Sequence, residues 1–315
     1  MKMIDRRVFF RFLGAGAAGI TVAPALLRSC TSNGNGNEDS YVNFDGIMPI
    51  AMVADCSRLL LASGNLSDPV KNALTADINL PLPGNLSRLG SSLPFDDENI
   101  FSALQGLGVL HKQDSELKTK KLSLILGWII FRPLKKSMTD VFRKLVEEGY
   151  HFDNIRSYFD AYLLKQCSGY RENPGASKAG MQELLQGLLP RMITRLHTLK
   201  PDYKDGMEWV NRMSEWRKEN IQRMDQYGAL LVEDDRELFD HAIRKYNVYN
   251  PEDRLIGLVR SMGSSTSAES VEQVILSDPG NSIYSKSLLR GYNNVITVQE
   301  YLDAGIDLNK MKKML

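Results

Sequence analysis

The chain has little of what commonly carries enzyme chemistry. Its four histidines, His111, His151, His197 and His241, share no metal-ligand spacing with one another or with a cysteine, so the patterns of zinc-type sites are excluded. No Gly-x-Ser-x-Gly elbow, phosphate-cradling glycine loop or dinucleotide fingerprint occurs, and Gly263-Ser264-Ser265 is turn composition, not a nucleophile. Cysteine is limited to three residues, too few for a disulfide framework. Neither sign of charge dominates: 39 basic residues face 38 acidic ones. A protein that neutralises many phosphates needs a basic excess, so nucleic acid is not expected as a partner. No apolar run reaches the roughly 20 residues that a membrane-spanning helix requires.

What is present is ordinary globular composition. Hydrophobic residues make up 43% and charged residues 24% of 315, far from the composition of disordered chains. That length allows one large domain or two smaller ones. Residues 1–30 read as a leader, 31–45 as a polar tether and 46–315 as a helical domain, with 263–270 as the internal position best suited to a boundary.

The leader opens with Asp5-Arg6-Arg7-Val8-Phe9-Phe10-Arg11, and Phe12 to Leu27 then carries no charge. This is a charged n-region followed by an h-region. The paired Arg6 and Arg7 before bulky apolar residues resemble a bacterial twin-arginine export signal, from which Asp5 and the Phe9-Phe10-Arg11 ending depart slightly. Leu27-Arg28-Ser29-Cys30 resembles a lipoprotein lipobox, with Arg28 as its departure. The resemblance implies diacylation of Cys30, which becomes the new N-terminus. Cleavage near Ala23 to Ala25 with an incidental Cys30 is the alternative.

Thr31 to Ser40 is rich in Gly and Asn and reads as a tether that holds the body off the bilayer. Membrane attachment is then through lipid, at the periplasmic or outer face. Removing the leader's five basic residues and one acidic residue turns 39 against 38 into 34 against 37, a slightly acidic body. With Cys30 lipidated, Cys56 and Cys167 remain, and an oxidising compartment permits a disulfide between them. Two separately buried thiols are the alternative.

The body reads as all-α, a multi-helix orthogonal or bundle-like domain. Met181 to Leu199 and Trp209 to Met224 place apolar residues at spacings of three and four and predict a helical hairpin. Leu134, Met138, Val141, Phe142, Leu145 and Val146 predict a helix ending near Gly149, and Ile155, Phe159, Tyr162 and Leu163 predict the next. Leu122 to Phe131 is too short to span a membrane and predicts a core helix with its flanking lysines in solvent. Asp68-Pro69, Asn250-Pro251 and Asp278-Pro279 read as helix starts, and Thr297 to Glu300 reads as a capping box that opens a short helix.

Two residue pairs carry some ligand character. Glu148 and His151 have the Glu-x-x-His spacing of helical di-metal sites, but Gly149 ends the helix between them, so the pair reads as a surface coincidence. Glu237 and His241 stand four apart on a helix, a spacing more often used for solvated contacts. No metal and no cofactor is expected on this chain. The favoured function is a non-catalytic lipoprotein that binds, scaffolds or assists a protein partner. The runner-up is the small helical subunit of an exported oxidoreductase whose cofactor resides on the partner. A helical enzyme with unpatterned His and Glu residues, His151, His197 and His241 among them, is the third possibility.

Overall fold

The computed structural model describes residues 47–75, 86–91, 100–101, 104–105, 107, 115–150, 152–166, 236–262 and 267–304. The chain divides into two units, Met1–Val42 and Asn43–Leu315, and all described residues belong to the second. Arg6, Arg7, Cys30 and the predicted hairpin over 181–224 lie outside the described residues. Among the described residues helix predominates and no strand occurs, so the body is all-α.

The long element is α4, Ser115–Glu147, with 33 residues. Every residue from 121 to 131 is buried, which makes the Leu122 to Phe131 run a core helix. The helix expected from Leu134 onward is not separate, because α4 continues through Pro133. An interior proline costs about 3 kcal/mol. Phe131 and Leu134 are 2% and 1% exposed, and full burial of such side chains contributes about 1.5–3 kcal/mol each, so continuity is favoured. Lys121 also departs from expectation, with 3% exposure instead of a solvated end. Its long apolar stem suits it to run along core surface. Gly149, at φ +95°, ends the helix, and its N–H donates to the Val146 carbonyl while that of Tyr150 donates to Leu145. Only a glycine adopts that left-handed geometry without strain.

Around α4 lie α1 (Ile47–Ser63), α2 (Asp68–Thr75), α3 (Leu86–Ser91), α5 (Phe152–Gln166) and α9 (Ile283–Ala304). Two neighbours reach it at backbone distance. A Cβ on Gly127 of α4 would collide with the Ser87 backbone of α3, and one on Gly90 of α3 would collide with the Leu124 backbone. On another side, a Cβ on Gly291 of α9 would stand 2.8 Å from the Ile130 carbonyl oxygen. The second hub is α1, whose described residues are all buried or half-buried except the exposed Arg58. It touches α3, α4, α5 and α9, and also α7 (Arg254–Ser261) and α8 (Ala268–Ser277). The remaining element, α6 (Arg236–Lys245), lies on α5.

Asp68-Pro69 opens α2 as expected, but two other helix starts lie downstream of their prolines. Pro251 sits in a turn before α7, whose N-cap is Asp253, and Pro279 precedes the start of α9 at Ile283 by four residues. Within 263–270, Ser267 caps α8 by accepting the Ser270 N–H at 3.2 Å. The expected capping box is absent, since α9 runs uninterrupted through Thr297 to Glu300. Val295 and Val298 are fully buried there, and their packing carries the helix onward. Gln299 is used differently: its Oε1 accepts the Ser67 N–H at 2.7 Å and its Nε2 donates to the Asn65 carbonyl at 3.0 Å. A residue inside the expected box therefore clamps the α1–α2 loop.

Candidate functional site: a tyrosine and carboxylate seam

A group of paired phenols and carboxylates lies where α1, α5, α6 and the start of α9 meet. Position 247 creates the approach. Asn247 has φ +46°, a conformation that Asn tolerates better than most residues, and it turns the chain sharply after α6. The carbonyls of Asn247 and Val248 then accept the N–H groups of Ile283 and Tyr284 at 2.8 and 2.9 Å. Those N–H groups begin α9 and have no partner within their own helix. This pairing places Tyr249 against Tyr284, with ring centroids 5.2 Å apart and planes at 61°. Tyr162 of α5 extends the series, 5.9 Å from Tyr249 at 77°. Both contacts have the edge-to-face form that the aromatic quadrupole favours.

Each end of the series adjoins a phenol–carboxylate pair. Tyr284, 1% exposed, donates its hydroxyl to Asp55 Oδ2 at 2.8 Å, and Asp55 is itself buried on α1. Tyr158, one turn before Tyr162 on α5, donates to Asp240 Oδ1 of α6 at 2.8 Å. Burial pushes the Tyr162 phenol above its usual range, and the nearby negative charge of Asp240 adds to this, while Arg260 and Arg244 act in the opposite direction.

Two further buried carboxylates hold backbone. Asp160 accepts the Met48 N–H at 2.9 Å, which satisfies a donor in the first turn of α1. Asp253 accepts from Asn281 N–H at 3.1 Å and Ser282 N–H at 3.0 Å, and its negative charge there complements the α9 dipole. Gly280, at φ +114°, is required beside it, because a Cβ would overlap the Asp253 side chain.

The residues singled out from sequence fall elsewhere. Glu148 is exposed beyond the end of α4 and accepts from Lys245 Nζ at 2.6 Å and from the Tyr246 hydroxyl at 2.5 Å. The hydrogen bond from Lys245 and then that from Tyr246 hold its carboxyl below the ordinary range. Glu237 and His241 are exposed on α6, whereas His111, His151 and His197 lie outside the described residues. Among the described residues, no group of three or more His, Cys, Asp or Glu side chains could hold a metal ion. Cys56 is fully buried as a free thiol, and burial followed by the neighbouring Asp55 charge raises its pKa far above the usual thiol range. Cys167 lies outside the described residues.

Sequence reasoning missed the seam altogether. Asp55 and Tyr284 are 229 positions apart, and Tyr158 and Asp240 are 82 apart, so no local spacing announces either pair. Among the described residues no helix is long and apolar enough to cross a membrane. The fold and seam define an all-α body with internally paired carboxylates, and no protein family, characterised protein or solved structure matches the chain.

Proposed function

We propose that this chain is an exported, lipid-anchored bacterial protein whose helical body serves as a non-catalytic binding, scaffold or accessory module at a membrane surface. One observation carries the reading of the body: Asp55, Asp160, Asp240 and Asp253 each bind a phenol or backbone N–H belonging to another structural element. Carboxylates held in this way fix helix positions. The reading of the address rests on Arg6, Arg7, the uncharged stretch to Leu27 and Cys30. Two or three acyl chains, at about 0.8 kcal/mol per buried methylene, suffice for stable attachment.

Cys30→Ala tests the anchor. Loss of acyl label and release from the membrane fraction are expected; unchanged labelling and retention would refute it. The second reading, an accessory subunit of an exported oxidoreductase, draws on the Arg6-Arg7 signature, because the pathway that reads such signals exports folded and often cofactor-loaded complexes. Gentle solubilisation followed by purification through this chain distinguishes the two. Stoichiometric recovery of a flavin-, haem- or metal-bearing polypeptide favours the subunit, and recovery of this chain with no such polypeptide favours the first reading.

A further inference from the structure

We propose that Tyr284 is a redox-active tyrosine, the terminus of a one-electron relay that runs from Tyr162 through Tyr249 to the Tyr284–Asp55 pair. This goes beyond the anchoring role and does not depend on it. Three observations carry it. The rings are in successive edge contact, at centroid separations of 5.9 and 5.2 Å, close enough for a hole to pass from ring to ring. Burial increases along the series, from half-buried Tyr162 to Tyr249 at 5% and Tyr284 at 1% exposure. The Tyr284 hydroxyl already donates to a buried carboxylate at 2.8 Å.

The third point decides where the hole rests. A phenol that loses an electron becomes strongly acidic, and it is stabilised as a neutral radical only when its proton has an acceptor within hydrogen-bond distance. Asp55 Oδ2 is that acceptor. The step balances as one electron leaving the Tyr284 ring and its hydroxyl proton moving to the Asp55 carboxylate, giving a neutral tyrosyl radical beside a carboxylic acid. The electron travels outward through Tyr249 and Tyr162 to an oxidant of the high-potential, one-electron metal class. Reduction reverses both transfers. The edge-to-face pair Phe142 and Phe159, 5.5 Å apart, has no hydroxyl proton to release and cannot hold a hole in this way. Cys56, next to Asp55 in sequence, keeps its thiol proton because of its burial, and a protonated thiol is a poorer electron donor than a thiolate.

The test uses the full chain with a dissolved ruthenium polypyridyl complex, photo-oxidised to its trivalent state, followed by transient absorption and electron paramagnetic resonance. The sequence holds 12 tyrosines and three tryptophans, so the readout is the difference between variants. The wild type is expected to yield a long-lived tyrosyl radical whose spectrum changes in deuterated water, because of one exchangeable hydrogen-bonded proton. Tyr284→Phe should abolish that population. Tyr249→Phe, which interposes a ring too hard to oxidise, should cut its yield about tenfold. Asp55→Asn should shorten its lifetime about tenfold, equivalent to about 1.4 kcal/mol of barrier. Wild-type yield and lifetime in Tyr284→Phe would overturn the proposal, as would unchanged yield in Tyr249→Phe or loss of the radical in Tyr158→Phe alone. Should Tyr284→Phe fail to fold, the Tyr249→Phe yield and the wild-type spectrum in deuterated water decide the matter, and a radical without the exchangeable proton overturns it.

Discussion

Replacing Gly127 by alanine should destabilise the body even though alanine is the better helix former. Two terms compete. Glycine in a helix interior is less favourable than alanine by about 1 kcal/mol, so the substitution begins with a gain of that size. Against it stands the α3 backbone: the new Cβ would lie 2.5 Å from the Ser87 carbonyl carbon and 2.8 Å from its Cα, where real Cβ atoms essentially never come within 3.0 Å. These atoms belong to main chain and cannot rotate away, so α3 and α4 must part by on the order of 1 Å, which forfeits up to about half of the dispersion energy at each opened contact. Overpacking of this kind costs about 1–3 kcal/mol and occasionally more. The difference is a net loss of up to about 2 kcal/mol, and the overlap with the Ser87 carbonyl oxygen, the most severe of these contacts, places the expectation at the upper end. Gly257 supplies the internal control, because it is an exposed helical glycine of α7 with nothing within 4 Å of an added Cβ. Gly257→Ala should therefore stabilise by about 0.5–1 kcal/mol. Urea unfolding monitored by circular dichroism, with the slope m held constant, measures both. If the two alanines shift the midpoint in the same direction, the close approach of α3 to α4 does not have the energetic weight assigned to it.

Asp253→Ala should lose about 1–3 kcal/mol, because the buried Ser282 N–H is left without its acceptor; Asp253→Asn, which keeps one oxygen acceptor, should recover part of this in the same urea assay. Glu148 should titrate below an ordinary glutamate because Lys245 and Tyr246 both donate to it. A carboxyl depressed in the folded state adds stability above its unfolded pKa and loses it as pH falls through the folded one. Glu148→Gln should accordingly flatten a small acid-side slope in stability and leave the neutral plateau nearly unchanged, and an acid slope identical to wild type would remove Glu148 as its source.

Helices were legible in the sequence where packing is dense and local. The Leu122 to Phe131 run and the spacing of Ile155, Phe159 and Leu163 announce faces that are buried in α4 and α5, because a helix repeats its contacts every three or four residues. Boundaries were less legible. The Leu122 to Phe131 run and the pattern from Leu134 onward read as separate helices, yet the apolar side chains on both sides of Pro133 bury completely enough to hold one helix together. Thr297 to Glu300 has the composition of a cap, but a cap forms only where the chain is free to leave helical geometry, and Val295 and Val298 bind it to the core. The seam was not legible at all, since its pairs join residues with no common element and no common motif.

That division follows the physical origin of the contacts. At the centre, α1, α4 and α9 are joined by apolar burial and by glycines that admit neighbouring backbone, terms that scale with area and are written into residue type. Toward α6, beside the buried Ala242 and Ile243, the described residues include directional ties: Asp240 to Tyr158, Glu148 to Lys245 and Tyr246, and the Asn247 and Val248 carbonyls to the start of α9. The bonds to Glu148 lie exposed, whereas the Tyr158–Asp240 bond is partly shielded from water, and a hydrogen bond of that kind contributes about 1 kcal/mol when made and costs about 1–3 kcal/mol when one partner is removed. Its main effect is therefore to penalise alternative placements, and it fixes where α6 and the α9 start sit more than it adds to total stability. Composition can reveal that such groups exist, but only the folded arrangement of separate segments determines which carboxylate meets which phenol.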